Sequence, residues 1–269
     1  MRVRPQVIAT LRHQAQLLLC ASLLLSTLST AADRAGMIER VKPSVVAVGT
    51  FERTRTPPFV FLGTGFAVGD GTLIATNAHV LPAVLDPAKL EVLAILLPGM
   101  SADGKDQVQV REVKRLTVDP ASDLALLKLS GGAPLPALAV REGGAVKEGQ
   151  EVLFTGYPIG AVLGPFPATH RGMISVVTPI AIPQARAGDL DAKTVRRLGG
   201  GNFAVYQLDA TAYPGNSGSP VYDPDTGEVL AIVNMVFVKG TKEAVLSQPS
   251  GITYAIPANH LRDLLKSVR

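Results

Sequence analysis

A serine hydroxyl attacks an acyl carbon effectively only when a base lies within hydrogen-bond reach, an acid orients that base, and backbone donors meet the developing oxyanion. Bases are scarce in this chain. Of four histidines, His13 falls in an N-terminal leader, which leaves His79, His170 and His260. His79 lies in Thr76-Asn77-Ala78-His79-Val80, at the end of an apolar run and shortly before Pro82, where a side chain can project into a cleft. Taken alone, such a histidine is more often a hydrogen-bonded structural residue than a base. Asp123 opens the apolar segment Asp123-Leu124-Ala125-Leu126-Leu127-Lys128-Leu129. A turn role fits it equally well, and Asp119 just upstream is the alternative acid. Ser217 sits in Pro214-Gly215-Asn216-Ser217-Gly218-Ser219-Pro220, where flanking glycines permit a tight backbone and close substrate approach. An ordinary Gly/Ser turn is the plainer reading. The three segments together, in the order His, Asp, Ser, make His79, Asp123 and Ser217 the candidate catalytic set.

Such residues, far apart in sequence, need a scaffold that brings them together. Runs rich in Val, Ile, Leu and Thr recur between turn signals at Ser44 to Thr50, Gly65 to Val68, Thr72 to Thr76 and Leu90 to Leu97, a spacing that predicts antiparallel strands. Gly69-Asp70-Gly71 and Asp223-Pro224-Asp225-Thr226-Gly227 read as hairpin connections, the second joining Pro220-Tyr222 to Val229-Val233. Leu261, Leu264, Leu265 and Val268 recur at the spacing of one helix face, and a weaker helical pattern covers Arg34 to Val41. A Gly/Pro-rich stretch from Gly131 to Gly149 divides the chain into two strand-rich parts. Two all-β units are expected, residues 33–140 and 141–269, with chemistry in the cleft between them. The segment Gln184 to Asn202 lacks a strand pattern and reads as a surface loop controlling access.

Arg2, Arg4, Arg12 and His13 precede an apolar run from Leu17 to Leu25, and Ser29, Ala31 and Ala32 follow it, which is the layout of a secretory signal. Residues 1–32 are read as that signal, cleaved after Ala31 or Ala32. The alternative, an uncleaved anchor, has a short apolar stretch against the roughly 18 to 20 residues that span a bilayer. A lipidated Cys20 is disfavoured by the leucines before it. Loss of the leader lowers the formal charge from +4 to +1, so no nucleic-acid or membrane footprint is expected. Cys20 is the only cysteine, leaving neither disulfide nor thiol nucleophile. An exported domain of about 237 residues must then be held by its core.

The three segments resemble the trypsin-like serine peptidases and, within them, the HtrA/Deg (high-temperature-requirement) branch. Gly63-Thr64-Gly65-Phe66, Gly156-Tyr157-Pro158 and Gly251-Ile252-Thr253-Tyr254-Ala255-Ile256-Pro257 are similar to that branch as well, and the likeness runs from about Ser44 to the C-terminus. It implies an all-β fold of two antiparallel six-stranded barrels with a short C-terminal helix, His79 and Asp123 on the first barrel and Ser217 on the second. It implies an oxyanion hole in the segment Gly215, Asn216, Ser217, with the N–H groups of Gly215 and Ser217 as donors. The primary specificity pocket would be lined by Thr211, Ala212 and Tyr213 at its base and by Asn234, Met235 and Val236 at its rim. None of these is charged, so a small or medium apolar substrate side chain is expected rather than Lys or Arg. Asn216 stands where pancreatic-type relatives carry an aspartate that pairs with a freshly cut N-terminus, so the oxyanion loop must be ordered by other contacts. The chain ends 12 residues after Pro257, so neither PDZ-based sensing nor cage assembly is expected. The segment between Thr50 and Gly63 is too short for the long regulatory loop of some relatives.

The expected function is serine endopeptidase activity on protein or peptide substrates outside the cytoplasm, with no cofactor, no metal, no nucleic acid and no stable membrane insertion after signal cleavage. Oligomeric state is left open. An α/β-hydrolase would need the order serine, acid, histidine with His260 as base, and a G-x-S-x-G elbow. Here the last place is Ser219 and the alternating strand and helix pattern is missing. His260 fits the polar face of the terminal helix, and His170 a structural place in a strand. A catalytically silent peptide-binding relative is a third reading, opposed by the presence of all three candidate residues. A dinucleotide fingerprint at Gly63-Thr64-Gly65 fails because position 68 is Val68.

Overall fold

A computed structural model describes residues 34–100, 106–160, 164, 166–179, 203–234 and 251–268. The signal reading (1–32), the access loop (184–202), Met235 and Val236 lie outside the described residues. Twelve strands form two closed antiparallel barrels. The first contains β1 (Val45–Phe51), β2 (Phe59–Val68), β3 (Leu73–Asn77), β4 (Val92–Met100), β5 (Asp106–Asp119) and β6 (Leu124–Leu129). The second contains β7 (Glu151–Gly156), β8 (Ala168–Pro179), β9 (Ala204–Asp209), β10 (Pro220–Tyr222), β11 (Val229–Asn234) and β12 (Ile252–Pro257). The hydrogen-bonded order is β1-β2-β3-β6-β5-β4 in one and β7-β8-β9-β12-β11-β10 in the other. The same path is traced twice by sequences with no visible repeat. A helix over residues 34–41, α1, precedes the first barrel, and α2 (Ala258–Lys266) follows the last strand. Among the described residues no helix is long and apolar enough to cross a membrane.

Side-chain alternation explains three separate cores. Val46 and Val48 of β1 join Ile74, Ile95, Val113 and Leu127 inside the first barrel. Val152, Phe154, Ile174, Leu208, Val221 and Leu230 fill the second. The other faces of β1 and β6, carrying Val45, Ala47, Leu124 and Leu126, meet Leu153, Tyr157, Tyr222 and Ile232 at the seam between the barrels. Strands covered on both faces lose the polar half of their alternation, which is why β6 reads as an almost unbroken apolar run. Met37 and Val41 of α1 and Leu261 and Leu264 of α2 close this seam, the latter pair on the face that periodicity marks.

Some boundaries differ from those the sequence predicts. β2 begins at Phe59 rather than Gly65, because pairing with β1 from Phe51 opposite Phe59 onward carries the strand through Gly63, which reads as a break in sequence. β4 begins at Val92 rather than Leu90, since Leu90 adopts φ 54° to close the short 3-10 turn Pro87–Lys89. The stretch between the barrels carries a single parallel bridge, Val140 to Val229.

Candidate active site

β3 ends at Asn77 and the chain tightens into the 3-10 turn Ala78–Val80, which sets His79 at the rim of the first barrel. The neighbouring hairpin between β5 and β6 supplies Asp123. Its turn is organised by Asp119, whose carboxylate accepts from Ala121 N at 3.0 Å and from Ser122 Oγ at 2.5 Å. Asp123 therefore differs from Asp119: it follows the turn and faces His79. Its Oδ1 accepts from the His79 backbone N–H at 3.0 Å, and its Oδ2 lies 2.7 Å from His79 Nδ1. Burial pushes the Asp123 carboxyl up. The hydrogen bond and charge of His79, with Asn234 and the His79 backbone N–H, outweigh that and hold it below the ordinary value of 3.8.

Asn234, at the end of β11 in the other barrel, is fully buried, and its Nδ2 donates to Asp123 Oδ2 at 2.7 Å. Expected at the rim of a specificity pocket, this residue directs its amide nitrogen to the carboxylate. Sequence gave no sign of it, because its partner stands 111 positions away.

Ser217 reaches the same seam through a web of contacts to β2. Thr64 N donates to Ser217 O at 2.8 Å, and Thr64 Oγ1 donates to Gly215 O at 2.7 Å while accepting from Tyr157 N at 3.0 Å. Gly63 makes the approach tight: a β-carbon there would lie 2.7 Å from Val80 and 3.1 Å from Ser217 O. The residue following His79 and the carbonyl of Ser217 thus press on one point. Gly215 and Gly218 have φ of +101° and +88°, and a β-carbon on Gly218 would stand 2.0 Å from Thr64 O. Glycine is required at both places.

The carbonyls around Gly215 are all engaged. Pro214 O accepts from Ile159 N at 2.6 Å, Tyr213 O accepts from Asn216 N at 2.9 Å, and Asn216 O accepts from Ser219 N at 3.0 Å. Among the described residues the Gly215 and Ser217 N–H groups donate to no backbone carbonyl, whereas that of Asn216 is taken up inside the loop. The Asn216 side chain is fully buried, beside Ser219 Oγ and Gly156. Of the expected pocket wall, Thr211 and Tyr213 are half-buried, and Ala212 packs into the second barrel's core. Ala212 N donates to Thr253 Oγ1 at 3.1 Å, which in turn donates to Ala210 O at 2.7 Å, tying this wall to β12.

The remaining two histidines pack on aromatic rings. His170 stacks on Phe154 with centroids 4.8 Å apart, and His260 tilts against Phe203 at 4.4 Å. Burial pushes both below the ordinary histidine value; for His260, Asp119 and Asp263 partly oppose it.

A family profile described as "Trypsin-like peptidase domain" matches residues 63–232. The chain is 31% identical over 235 residues to "Serine protease HTRA2, mitochondrial" of Bos taurus, covering 86% of this chain and 42% of that protein. It is 28% identical over 218 residues to a "Probable periplasmic serine endoprotease DegP-like" of Rickettsia prowazekii, covering 81% and 35%. "Serine protease HTRA1B" of Danio rerio is 28% identical over 235 residues, covering 86% and 40%. The chain thus spans about two fifths of the length of these curated relatives.

Proposed function

The chain belongs to the trypsin-like peptidase family, and from that premise we propose that it is a serine endopeptidase using His79, Asp123 and Ser217. The observation that carries the reading is the paired grip of Asp123 on His79, through the backbone N–H and Nδ1 together. A carboxylate so placed fixes the tautomer that leaves Nε2 to exchange protons. His79 takes the proton of Ser217 Oγ as it attacks the scissile carbonyl and returns it to the leaving amine, giving an acyl-enzyme that water hydrolyses. The N–H groups of Gly215 and Ser217 receive the oxyanion, each such donor being worth about 3 kcal/mol in the transition state.

Substrates are unfolded or exposed segments of proteins, cut after small or medium apolar residues, since Thr211, Ala212 and Tyr213 offer no charge to a Lys or Arg side chain. Residues 1–32 direct the protein out of the cytoplasm, where it serves protein quality control or processing. Cleavage-site profiling with a peptide library at neutral pH tests this, with Ser217→Ala as blank. The expected result is cleavage by the wild type alone, with apolar residues before the cut. Enrichment of Lys or Arg there overturns the pocket reading, and an inactive, folded wild type overturns the peptidase reading in favour of a silent binder.

A further inference from the structure

Asp123 has φ +55°, a left-handed conformation that is unfavourable for an L-residue. Residues held in such conformations persist only where their surroundings over-determine them. Its carbonyl accepts from two donors, Ala78 N at 2.9 Å and Asn77 Nδ2 at 3.2 Å. The first comes with the backbone of any sequence, whereas the second depends on the residue type at position 77. We propose that Asn77 is a positioning residue for the peptidase reaction: its side-chain amide holds the Asp123 main chain in the left-handed turn from which the carboxylate faces His79. This rests on the peptidase reading above.

Burial argues that the amide is present for this contact and not for the barrel. Asn77 is fully buried at the end of β3, and among the described residues its Oδ1 has no hydrogen-bond partner. An unpaired buried acceptor is unfavourable, and replacing it with an apolar group of the same shape is near neutral or stabilising when no other partner is stranded. Loss of the Asn77 donor still leaves Asp123 O bonded to Ala78 N. A residue serving only packing would therefore be aliphatic here. Asn77 and Asn234 divide the work: one, from the first barrel, holds the main chain of Asp123, and the other, across the seam, holds its carboxylate.

Asn77→Leu tests the proposal, because it keeps the γ-branched shape and the number of heavy atoms while removing both donor and acceptor. The expected result is unchanged or raised thermal stability, with kcat on a peptide substrate lowered about tenfold and KM unchanged, the pattern of a contact that acts only in the transition state. The low-field proton resonance of His79 Nδ1–H should broaden or shift. Asn77→Ala, which leaves a cavity, should show the same kcat although its stability is lower, and Asn77→Ser, which retains a donor, should recover part of the loss. Wild-type kcat and an unmoved resonance in Asn77→Leu overturn the proposal, as does a kcat that follows stability across the three variants. An inactive wild type would instead sink the peptidase reading, while the resonance comparison still decides the role of Asn77.

Discussion

Asp123 is where the account is most exposed to test at the level of single residues, since its carboxylate meets His79 twice and Asn234 once. Asp123→Asn keeps the shape but presents an amide N–H, or a weaker carbonyl acceptor, to Nδ1, favouring the wrong imidazole tautomer. The expected loss in kcat is about 10⁴-fold with the fold intact, the magnitude known for this change in a serine triad, measured by steady-state kinetics and far-UV circular dichroism. The depressed Asp123 carboxyl has a definite sign in stability. Its contribution is present above the unfolded value of 3.8 and lost as pH falls through the lower folded value, so the aspartate stays charged through the neutral range. The three catalytic candidates were legible because the chain has so few histidines and because glycines surround Ser217. The folded hairpin adds what separates the two aspartates: Asp119 accepts from Ala121 and Ser122 within the turn, whereas Asp123 accepts from His79.

At the scale of elements, β2 does more than its sequence suggests. Thr64, fully buried, joins the barrels by donating to Gly215 O and accepting from Tyr157 N. Thr64→Val preserves shape but strands a carbonyl and an N–H, each costing about 1–3 kcal/mol when buried and unpaired. Stability should fall by about 2–6 kcal/mol in urea unfolding, and kcat should fall with it because Gly215 O, beside Ser217, loses its Thr64 donor. Unchanged values for both would show that the loop is held elsewhere. Hairpins were readable from Gly69-Asp70-Gly71 and from the Asp223 turn, whose short-range chemistry is local. The first half of β2 was hidden because prolines and a glycine mark breaks that strand pairing with β1 overrides.

For the whole molecule, two barrels and a terminal helix could be anticipated from strand spacing, the Gly/Pro-rich divider and family resemblance. The seam core could not, because it assembles faces from both barrels and both helices. Packing also dictates how the protein meets acid. His170 and His260 are held below 6.5 by burial, so the unfolded chain binds protons that the folded chain does not. Their contribution is complete above the unfolded value and declines as pH falls below about 6.5. Urea unfolding at about pH 7.5 and about pH 5.5 should show lower stability at the acid end, and His170→Gln should flatten that slope. The central claim is that Ser217 is activated by His79 across the seam, and a fluorophosphonate probe followed by peptide mapping tests it most directly. The account predicts a single adduct on Ser217, absent in Ser217→Ala and nearly absent in folded His79→Ala. An adduct elsewhere, or equal labelling of Ser217 without His79, would contradict it.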